Sequence, residues 1–338
     1  MKEAELLYKK ILLPSDTLVA DIAKLKGDIM ILGVGGKMGP ALARLAKQAV
    51  DKAGVNKKII GVARFSEIGL QKELNGQGIK TYQADLLNED QLQSLPEVEN
   101  VLYLAGTKFG TTGKESLTWA MNTYLPGRVA EKYKNSSIVV FSTGNVYPLT
   151  PVKFVGADEN KLPEPIGEYA QSCLGRERLF QYYSSKYNTP LLIFRLNYAN
   201  DVSYGVLLEI ARSVKEKKPI DLSMGHVNVI WQGDANEIAL RAFHHCTVPA
   251  KLLNVAGPET VSVRWVAEQF GNMFQQQPIF ENQEQETALL SNAAESFRLF
   301  GYPGVTLKEM MELLVQWVNI DSKTLNKPTH FQERKGQF

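Results

Sequence analysis

The sequence has few cysteines, almost no excess of charge and no long apolar run. Two cysteines, Cys173 and Cys246, cannot form a disulfide framework, which is typical of a protein from a reducing compartment. The 38 Lys and Arg residues nearly balance the 36 Asp and Glu residues, and a net charge of +2 does not favour nucleic acid as a partner. Apolar runs such as IMILGV and SSIVVF are far shorter than the ~20 residues of a transmembrane helix.

The N-terminal residues MKEAELLYKK carry charges of both signs, and no apolar signal region follows them. We therefore expect a cytoplasmic protein whose partners include neither nucleic acid nor a membrane. At 338 residues, the chain is long enough for about two domains.

Short apolar runs alternate with longer amphipathic segments from residue 29 onward. This alternation is typical of an α/β protein, in which crossover helices join the parallel strands of a doubly wound sheet. The predicted strands are residues 29–33, 58–63, 79–84, 101–105, 138–142 and 190–196. The predicted helices are residues 40–53, 116–133, 168–186 and 201–216. Beyond residue 200 the alternation is less regular, with strands predicted at 227–231 and 251–255 and a helix at 234–245.

The first predicted strand runs into a glycine-rich turn, Gly33-Val-Gly-Gly-Lys-Met-Gly39, that leads directly into a helix. Such a turn needs glycine where φ is positive, where the backbone approaches a pyrophosphate and where helix and strand pack closely. The free N–H groups at the helix N-terminus then bind the anion. The turn predicts a dinucleotide site, and its candidate contacts are Gly33, Gly35, Gly36, Lys37, Met38 and Gly39.

The second predicted strand ends in GVARFS, which places Arg64 where the adenosine ribose of a dinucleotide would lie. A carboxylate at this position would accept a hydrogen bond from the ribose of NAD, whereas an arginine accommodates the 2′-phosphate of NADP. We therefore expect NADP to be preferred over NAD. The alternative is that Arg64 is a solvated surface residue.

These patterns predict a Rossmann-type doubly wound parallel sheet with a smaller, mostly helical C-terminal lobe for the substrate. The predicted boundaries are a helical N-terminal extension at 1–27, a dinucleotide-binding domain at 28–200 and 227–250, a substrate-binding lobe at 201–226 and 251–322, and a C-terminal tail at 323–338.

Further motifs follow the glycine turn in a fixed order: Asp85-Leu86, YLAG ending at Gly106, Lys108, Asn122, FSTGNVY, Tyr169, Arg195 with Asn197, and Gly233-Asp234. Together they resemble the extended short-chain dehydrogenase/reductase superfamily over about residues 28–320. That group includes nucleotide-sugar epimerases and dehydratases. The resemblance implies a nicotinamide cofactor with further contacts from Asp85, Leu86, Leu104, Ala105, Gly106, Asn122, Tyr169, Cys173 and Asn197.

The resemblance also implies a pair of proton-transfer residues. The superfamily uses a Ser or Thr and a Tyr to move a proton on a substrate hydroxyl while hydride moves to or from nicotinamide. Thr143 takes the Ser/Thr position, with Ser142 as the alternative, and Tyr169 takes the tyrosine position. A phenol with an ordinary pKa near 10 becomes a base at neutral pH only when a cation stabilises the phenolate.

This sequence departs from the superfamily at the residue that would supply the cation. The usual motif is Tyr-x-x-x-Lys, but here Cys173 stands in the lysine position. At 4 Å and an effective dielectric near 20, a unit charge is worth about 4 kcal/mol, or about three pKa units. Two substitutes are open: oxidised nicotinamide, or Arg176, which lies on the same helix face as Tyr169. Arg176 as a surface residue near Glu177, and Cys173 as a packing residue or a nucleophile, are further alternatives.

Other departures from the superfamily's sequence pattern narrow the range of substrates that we expect. Dehydratases of the superfamily carry Asp-Glu after the Ser/Thr, whereas this sequence has Gly144-Asn145. The stretches HVNVIWQGD and FENQEQETALLSN lack the arginines that usually hold a nucleotide diphosphate. We therefore expect a smaller polyol, sugar or sugar acid. Its candidate contacts are Lys108, Asn145 and His226, and no metal site is expected.

The sequence as a whole predicts an NAD(P)-dependent oxidoreductase or epimerase that acts on a hydroxyl of a carbohydrate-like substrate and is not a dehydratase. A catalytically impaired NAD(P)-binding sensor or interaction protein, and a nucleotide-sugar epimerase, are the alternatives. The resemblance also implies a homodimer formed by the helices predicted at 116–133 and 168–186.

Overall fold

The computed structural model of the chain describes residue 8 and residues 11–108, 110, 112–325 and 327–337. The strands are β1 (Ile29–Leu32), β2 (Ile59–Ala63), β3 (Lys80–Gln83), β4 (Asn100–Tyr103), β5 (Ser137–Thr143), β6 (Thr150–Pro151), β7 (Leu191–Leu196), β8 (Ala199–Asn200), β9 (Pro219–Asp221), β10 (His226–Val227), β11 (Ile230–Trp231), β12 (Lys251–Val255), β13 (Val261–Ser262), β14 (Ile279–Glu281) and β15 (Thr287–Ala288).

The α-helices with defined bounds are α1 (Asp16–Lys24), α2 (Gly39–Ala53), α3 (Leu70–Gly76), α4 (Glu89–Ser94), α5 (Glu115–Trp119), α6 (Leu125–Lys132), α7 (Gly167–Tyr187), α8 (Val206–Lys215), α9 (Gln232–Arg241), α10 (Val263–Phe274), α11 (Ala294–Phe300) and α12 (Leu307–Asn319). A π-helical stretch, Ala120–Tyr124, joins α5 to α6, and 3₁₀ turns occupy Gly144–Val146 and Ala242–His245.

Seven strands form one parallel sheet in the order β12-β7-β5-β4-β1-β2-β3. The chain runs outward from β1 through β2 to β3, and then continues on the other side of β1 with β4. The carboxyl ends of β1 and β4 therefore flank the point where the strand order reverses. Ligands of open α/β sheets bind in the crevice at such a point.

Helices cover both faces of this sheet because its strands are apolar on both sides. In β1, Ile29 and Ile31 pack with residues of α1, α2, α3 and α9, whereas Met30 and Leu32 pack with residues of α4, α6 and α7. Successive side chains of a strand point to opposite faces, so one apolar run contributes to two cores.

A second core lies beyond residue 200. Helix α8 contributes Leu207, Ile210 and Val214 at helical spacing, and it packs on α10 and α12. The C-terminal segment belongs to this core as well, because the side chain of Phe331 is buried in it. This second lobe lies at the carboxyl edge of the sheet, since residues of α8 and of the C-terminal segment help to line the larger cavity described below.

The strands and helices predicted from the alternating pattern are present, with small shifts at their ends. Helix α8 begins later than predicted, at Val206, because Asp201 and Tyr204 form a backbone bridge and Gly205 has φ +141°. The strand predicted at 227–231 is divided into β10 and β11, which pair with β13 and β8. The short crossover helices α3 and α4 were not predicted.

One boundary of the predicted substrate lobe needs correction. The lobe was placed at 251–322, but β12 pairs along its whole length with β7 and is the edge strand of the main sheet. The connection from the end of β7 to β12, which includes α9, is the crossover that a parallel strand requires. Of the predicted extension at 1–27, residues 1–7, 9 and 10 lie outside the described residues. Helix α1 packs on α2, where Leu18 and Ile22 join the main core.

Within the described ranges, no helix combines the length and the apolar character needed to cross a membrane.

Candidate functional site

Two adjoining cavities lie along the carboxyl edge of the sheet, where the strand order reverses. Their volumes are about 410 and 210 Å³. Both are lined by Gly33, Gly36, Leu104 and Gly106. Because they share these walls from the glycine turn and the end of β4, they form one cleft that is large enough for an extended ligand.

The glycine turn forms the wall common to the two cavities. Gly33 has φ +92°, and a Cβ there would lie 2.7 Å from the backbone nitrogen of Ala105. A Cβ on Gly39 would lie 2.3 Å from the carbonyl oxygen of Val34, so this glycine lets α2 pack directly on the end of β1. No side chain caps the N-terminus of α2, where Met38 is the N-cap residue. The free N–H groups there suit a bound phosphate, and the turn fits a dinucleotide.

The smaller cavity contains the residues predicted to contact the adenosine end of a dinucleotide. It is lined by Gly35, Arg64, Asp85, Leu86 and Ala105. Arg64 is exposed at the end of β2, and Asp85 Oδ1 accepts a hydrogen bond of 3.1 Å from the backbone N–H of Leu87. Ser66 and Glu67 line the same cavity and were not assigned from the sequence.

The larger cavity brings Tyr169, Thr143 and Asn145 together. Thr143 ends β5, and Tyr169 lies in the first turn of α7. The backbone N–H and the side-chain Nδ2 of Asn145 donate to Thr143 Oγ1 over 3.1 and 2.9 Å. Since both lone pairs of this oxygen accept, the Thr143 hydroxyl donates its proton to its other partner, the Tyr169 hydroxyl. The Tyr169 hydroxyl in turn donates to Sγ of Cys173.

Arg176 lies beside the end of the larger cavity that contains Tyr169. Its Nη1 donates to the carbonyl oxygen of Phe141 over 2.8 Å, and its Nη2 donates to Asn122 Oδ1 over 2.9 Å. Cys173, which precedes it by one turn, is fully buried against Tyr169. The guanidinium of Arg176 lines the larger cavity, so the structure puts a cation where helix geometry predicts one.

Asn122 lies behind the cavity and is not part of either wall as described. Its Oδ1 accepts from the backbone N–H of Thr107 over 2.9 Å as well as from Arg176. Its Nδ2 donates to the carbonyl oxygen of Thr107 and to Oγ of Ser172 over 2.9 and 3.0 Å. Its side chain is therefore fully used in holding Arg176 and the loop after β4, which corrects its assignment as a direct cofactor contact.

Burial raises the pKa of Tyr169 well above its usual value, although the charge of Arg176 and the hydrogen bond from Thr143 both lower it. Lys108 lies over the same phenol, with Nζ 5.7 Å from the centre of the Tyr169 ring. Burial lowers the pKa of Lys108 to about 8. At neutral pH the phenol is protonated, and it needs further positive charge in the cavity before it can act as a base.

Residues 29–230 match the family described as NAD dependent epimerase/dehydratase family. The chain belongs to this family. A search of curated protein sequences finds no match to the chain.

Solved structures with a similar fold include members of this enzyme family. UDP-glucuronic acid 4-epimerase from Bacillus cereus, in complex with NAD, is 18% identical with a TM-score of 0.70, covering 88% of this chain and 100% of that chain. UDP-glucose 4-epimerase from Thermotoga maritima, with UDP-glucose, is 15% identical with a TM-score of 0.70, covering 87% and 99%. dTDP-glucose 4,6-dehydratase from Bacillus anthracis, in complex with NAD, is 16% identical with a TM-score of 0.73, covering 87% and 97%. These likenesses show a shared fold.

Ser142, the alternative to Thr143, has its hydroxyl committed to another partner. It lines the cavity but donates a hydrogen bond of 2.6 Å to Glu177 Oε1. Glu177 is fully buried, and its two oxygens accept bidentate hydrogen bonds from Nε and Nη2 of Arg195 over 2.9 and 2.6 Å. Arg195 Nη1 donates to the hydroxyl of Tyr147 over 2.7 Å. The hydroxyl of Ser142 therefore supports the buried ion pair, whereas that of Thr143 is hydrogen-bonded to Tyr169.

Two further residues assigned from the sequence, Asn197 and His226, have contacts other than those expected. Asn197 lines the larger cavity, but its Nδ2 donates to Asn228 Oδ1 over 3.0 Å and to the carbonyl oxygen of Leu289 over 3.2 Å. His226 lines neither cavity as described. It belongs to β10, which pairs with β13 around Ser262 in the second lobe, and this pairing corrects its assignment as a substrate contact.

The wall that the second lobe contributes was not found from the sequence. It consists of Tyr204, Gly205, Val206 and Thr329, and the neighbouring wall residues Tyr198, Ala199 and Gln232 were not assigned either. Thr329 belongs to the C-terminal tail, and its backbone N–H and hydroxyl donate to Glu209 Oε2 over 2.8 and 2.7 Å. Arg334 holds the tail further on, because Nη1 donates to the carbonyl oxygen of Thr287 over 2.7 Å. These contacts join segments far apart in the sequence, and no local motif marks them.

We expect Glu177→Gln to lower the free energy of unfolding by at least about 3 kcal/mol, because Arg195 would then be a buried charge without a counter-charge. Urea unfolding at pH 7 measures this loss. The matched control is Glu73→Gln, which removes an exposed ion pair with Arg44 and should cost less than about 1 kcal/mol. Equal losses in the two variants would contradict a structural role for the buried pair.

Proposed function

We propose that this protein is an NAD(P)-dependent oxidoreductase or epimerase that acts on a hydroxyl group of a sugar, sugar acid or related polyol. The observation that supports it is the hydrogen-bonded series Asn145–Thr143–Tyr169 at one end of a cleft whose middle is lined by the glycine turn. A nicotinamide cofactor bound in that cleft supplies the hydride acceptor or donor. The family match and the NAD complexes of the structural neighbours support such a cofactor.

Each residue of the series then has one task. Thr143, held by Asn145, orients the Tyr169 hydroxyl through the hydrogen bond that it donates, and Tyr169 exchanges a proton with the substrate hydroxyl. Arg176 supplies positive charge that favours the phenolate, in place of the lysine that Cys173 replaces. Its Nε is buried and has no hydrogen-bond partner among the described residues.

Two observations set this site apart from that of a dehydratase acting on a nucleotide sugar. Gly144 packs against Asn197 and Ser291, and the neighbouring Asn145 carries an amide, so the positions after Thr143 offer no carboxyl group. No Asp or Glu belongs to the described wall of the larger cavity. Oxidation, reduction or epimerisation at a carbon bearing a hydroxyl needs only the phenol and the cofactor, and the site supports these reactions.

Two other functions are each favoured by a specific observation. The raised pKa of Tyr169 favours a protein that binds the cofactor as a sensor or interaction module without turnover. The fold shared with UDP-sugar 4-epimerases favours a nucleotide-sugar epimerase. Against the latter, one cavity of about 410 Å³ would have to hold both the reactive half of the cofactor and the whole substrate.

For the cofactor, we propose a preference for NADP over NAD. Arg64 and Ser66 line the adenosine end of the cleft and together offer a cation and a hydroxyl donor to a 2′-phosphate. Glu67 lines the same cavity and favours NAD, because its carboxylate would accept from ribose hydroxyls and repel a phosphate. The structural neighbours described above were crystallised with NAD.

For the assembly, we propose a homodimer that buries the outer surface of α5, α6 and α7. Large apolar side chains are exposed there, with Leu117, Tyr124 and Tyr182 more than half exposed at 51%, 55% and 58%. Clustered exposed apolar residues of this kind mark interaction surfaces.

We expect Tyr169→Phe to lower kcat by at least about 100-fold, because it removes the proton-transfer group while keeping the ring that fills the site. The measurement is absorbance at 340 nm with NAD and NADP over a panel of sugars, sugar acids and polyols, together with chromatography of the products, because an epimerase causes no net change in reduced cofactor. NADPH affinity should not change, and Tyr302→Phe, an exposed tyrosine, is the control. Full activity of Tyr169→Phe would contradict the assignment of Tyr169, and an inactive wild-type protein that binds the cofactor would favour the sensor.

We expect NADPH to bind more tightly than NADH, and Arg64→Ala to weaken NADPH binding about tenfold with no change for NADH. The reason is that one charge-assisted hydrogen bond to a phosphate is worth about 1.5–3 kcal/mol. Isothermal titration calorimetry measures the affinities of the wild-type protein and of Arg64→Ala for NADPH and for NADH. Lys72→Ala, at an exposed lysine, is the control. Tighter binding of NADH by the wild-type protein would overturn the preference.

We expect sedimentation equilibrium at micromolar concentration to give twice the mass of one chain. Tyr182→Asp should shift the protein towards monomer, because a carboxylate buried at the interface would lack a partner. Tyr302→Asp, at a site that is also exposed but lies away from α5, α6 and α7, should remain dimeric. A wild-type protein of single-chain mass would contradict this assembly.

A further inference from the structure

The larger cavity is lined by cations and by no described carboxylate. Its charged wall residues are Lys37, Lys108 and Arg176. Arg176 donates to Phe141 and Asn122 and serves the phenol, and Lys108 lies over the ring of Tyr169. Lys37 is the third cation, and the proposed chemistry gives it no task.

Lys37 lies on the substrate side of the glycine turn. Its Nζ is 3.5 Å from the centre of the Tyr204 ring, which belongs to the loop before α8 in the second lobe. It lines the larger cavity together with Tyr204 and Thr329, and it is not part of the described wall of the smaller cavity at the adenosine end. The ammonium group therefore faces the part of the cleft where the two lobes meet.

The charges around Lys37 favour a bound anion. Burial, together with the positive charges of Lys108 and Lys327, lowers the pKa of Lys37 to about 7. The other titratable groups that face it from the second lobe are Tyr204 and, beyond it, Glu209, whose carboxylate accepts from Thr329. Cations crowded in a partly buried cavity are stabilised when an anion enters and offsets their repulsion.

The diphosphate of a cofactor has its own donors at this turn, since the N-terminus of α2 presents uncapped N–H groups. We propose that the substrate carries an anionic group, a carboxylate or a phosphate, that pairs with Lys37 between the glycine turn, Tyr204 and Thr329. The inference rests on the proposed function, because it specifies the substrate class of the same site. Among the sugars and sugar acids considered above, it selects the acidic or phosphorylated ones.

The experiment measures binding without turnover, so that an inactive protein would still test the inference. The protein saturated with NADPH is titrated by calorimetry with glucose, glucuronate and glucose 6-phosphate, and with the three compounds of the galactose series. At least one anion should bind at least ten times more tightly than its neutral sugar. Whether the uronate or the phosphate binds distinguishes the two sources of negative charge. Equal affinities, or no binding of any anion, would overturn the inference.

Variants of Lys37 show whether this residue carries the selectivity. Lys37→Gln should reduce the preference for the anion at least tenfold, Lys37→Arg should retain most of it, and the exposed Lys72→Gln should leave it unchanged. The affinity of each variant for NADPH is measured in parallel. If Lys37→Gln weakens NADPH as much as it weakens the anion, Lys37 serves the cofactor phosphates and the inference is overturned.

The pH dependence of uronate affinity separates charge pairing from a structural role, because a purely structural role of Lys37 would not make the affinity depend on the protonation of this residue. Lys37 is protonated below its pKa of about 7 and loses its charge as the pH rises through that value. Uronate affinity should therefore fall by up to about tenfold per pH unit between pH 7 and 9. The Lys37→Gln variant should show a shallower fall, because only Lys108, with a pKa of about 8, then loses its charge in the cavity wall. A flat profile in the wild-type protein would contradict pairing with this lysine.

Discussion

The site depends on a buried ion pair beneath it. Arg195 of β7 and Glu177 of α7 have side-chain exposures of 1% and 0%, and their bidentate contact is completed by the hydroxyls of Ser142 and Tyr147. Charges buried this deeply are tolerated only when each donor and acceptor is paired, so α7 has one favourable position against β5 and β7. That position places Tyr169 at the carboxyl edge of the sheet.

A helix held in this way presents residues on one face at fixed intervals. Tyr169, Cys173 and Arg176 follow one another along α7 and all lie at the same end of the cavity or directly behind it. Asn122 and the carbonyl oxygen of Phe141 fix the guanidinium of Arg176. The missing motif lysine is thus replaced, in the proposed chemistry, by a cation one turn further along the same helix.

Structural features that depend on residues close together in the chain can be predicted from the sequence. The glycine turn and the place of Arg176 follow from local geometry, and the six strands from 29 to 196 follow from apolar runs. The sequence does not reveal what depends on distant segments: β12 joins the sheet through pairing with β7, His226 lies in an antiparallel pair with β13, and Thr329 reaches the cavity from the tail. Ser142 and Thr143 are adjacent residues with a hydroxyl group each, and the sequence alone does not tell their roles apart. The hydrogen bond from Ser142 to the buried Glu177 distinguishes them.

We propose that one nicotinamide nucleotide lies along this cleft, with its adenosine end at Arg64 and its reactive end at Tyr169. A crystal structure of the protein grown with NADPH is the sharpest test of this placement. We expect electron density for one cofactor per chain, with its diphosphate at the N-terminus of α2 and its nicotinamide ring facing the Tyr169 hydroxyl. An empty cleft at saturating NADPH, or a nicotinamide ring that lies away from Tyr169, would refute the placement.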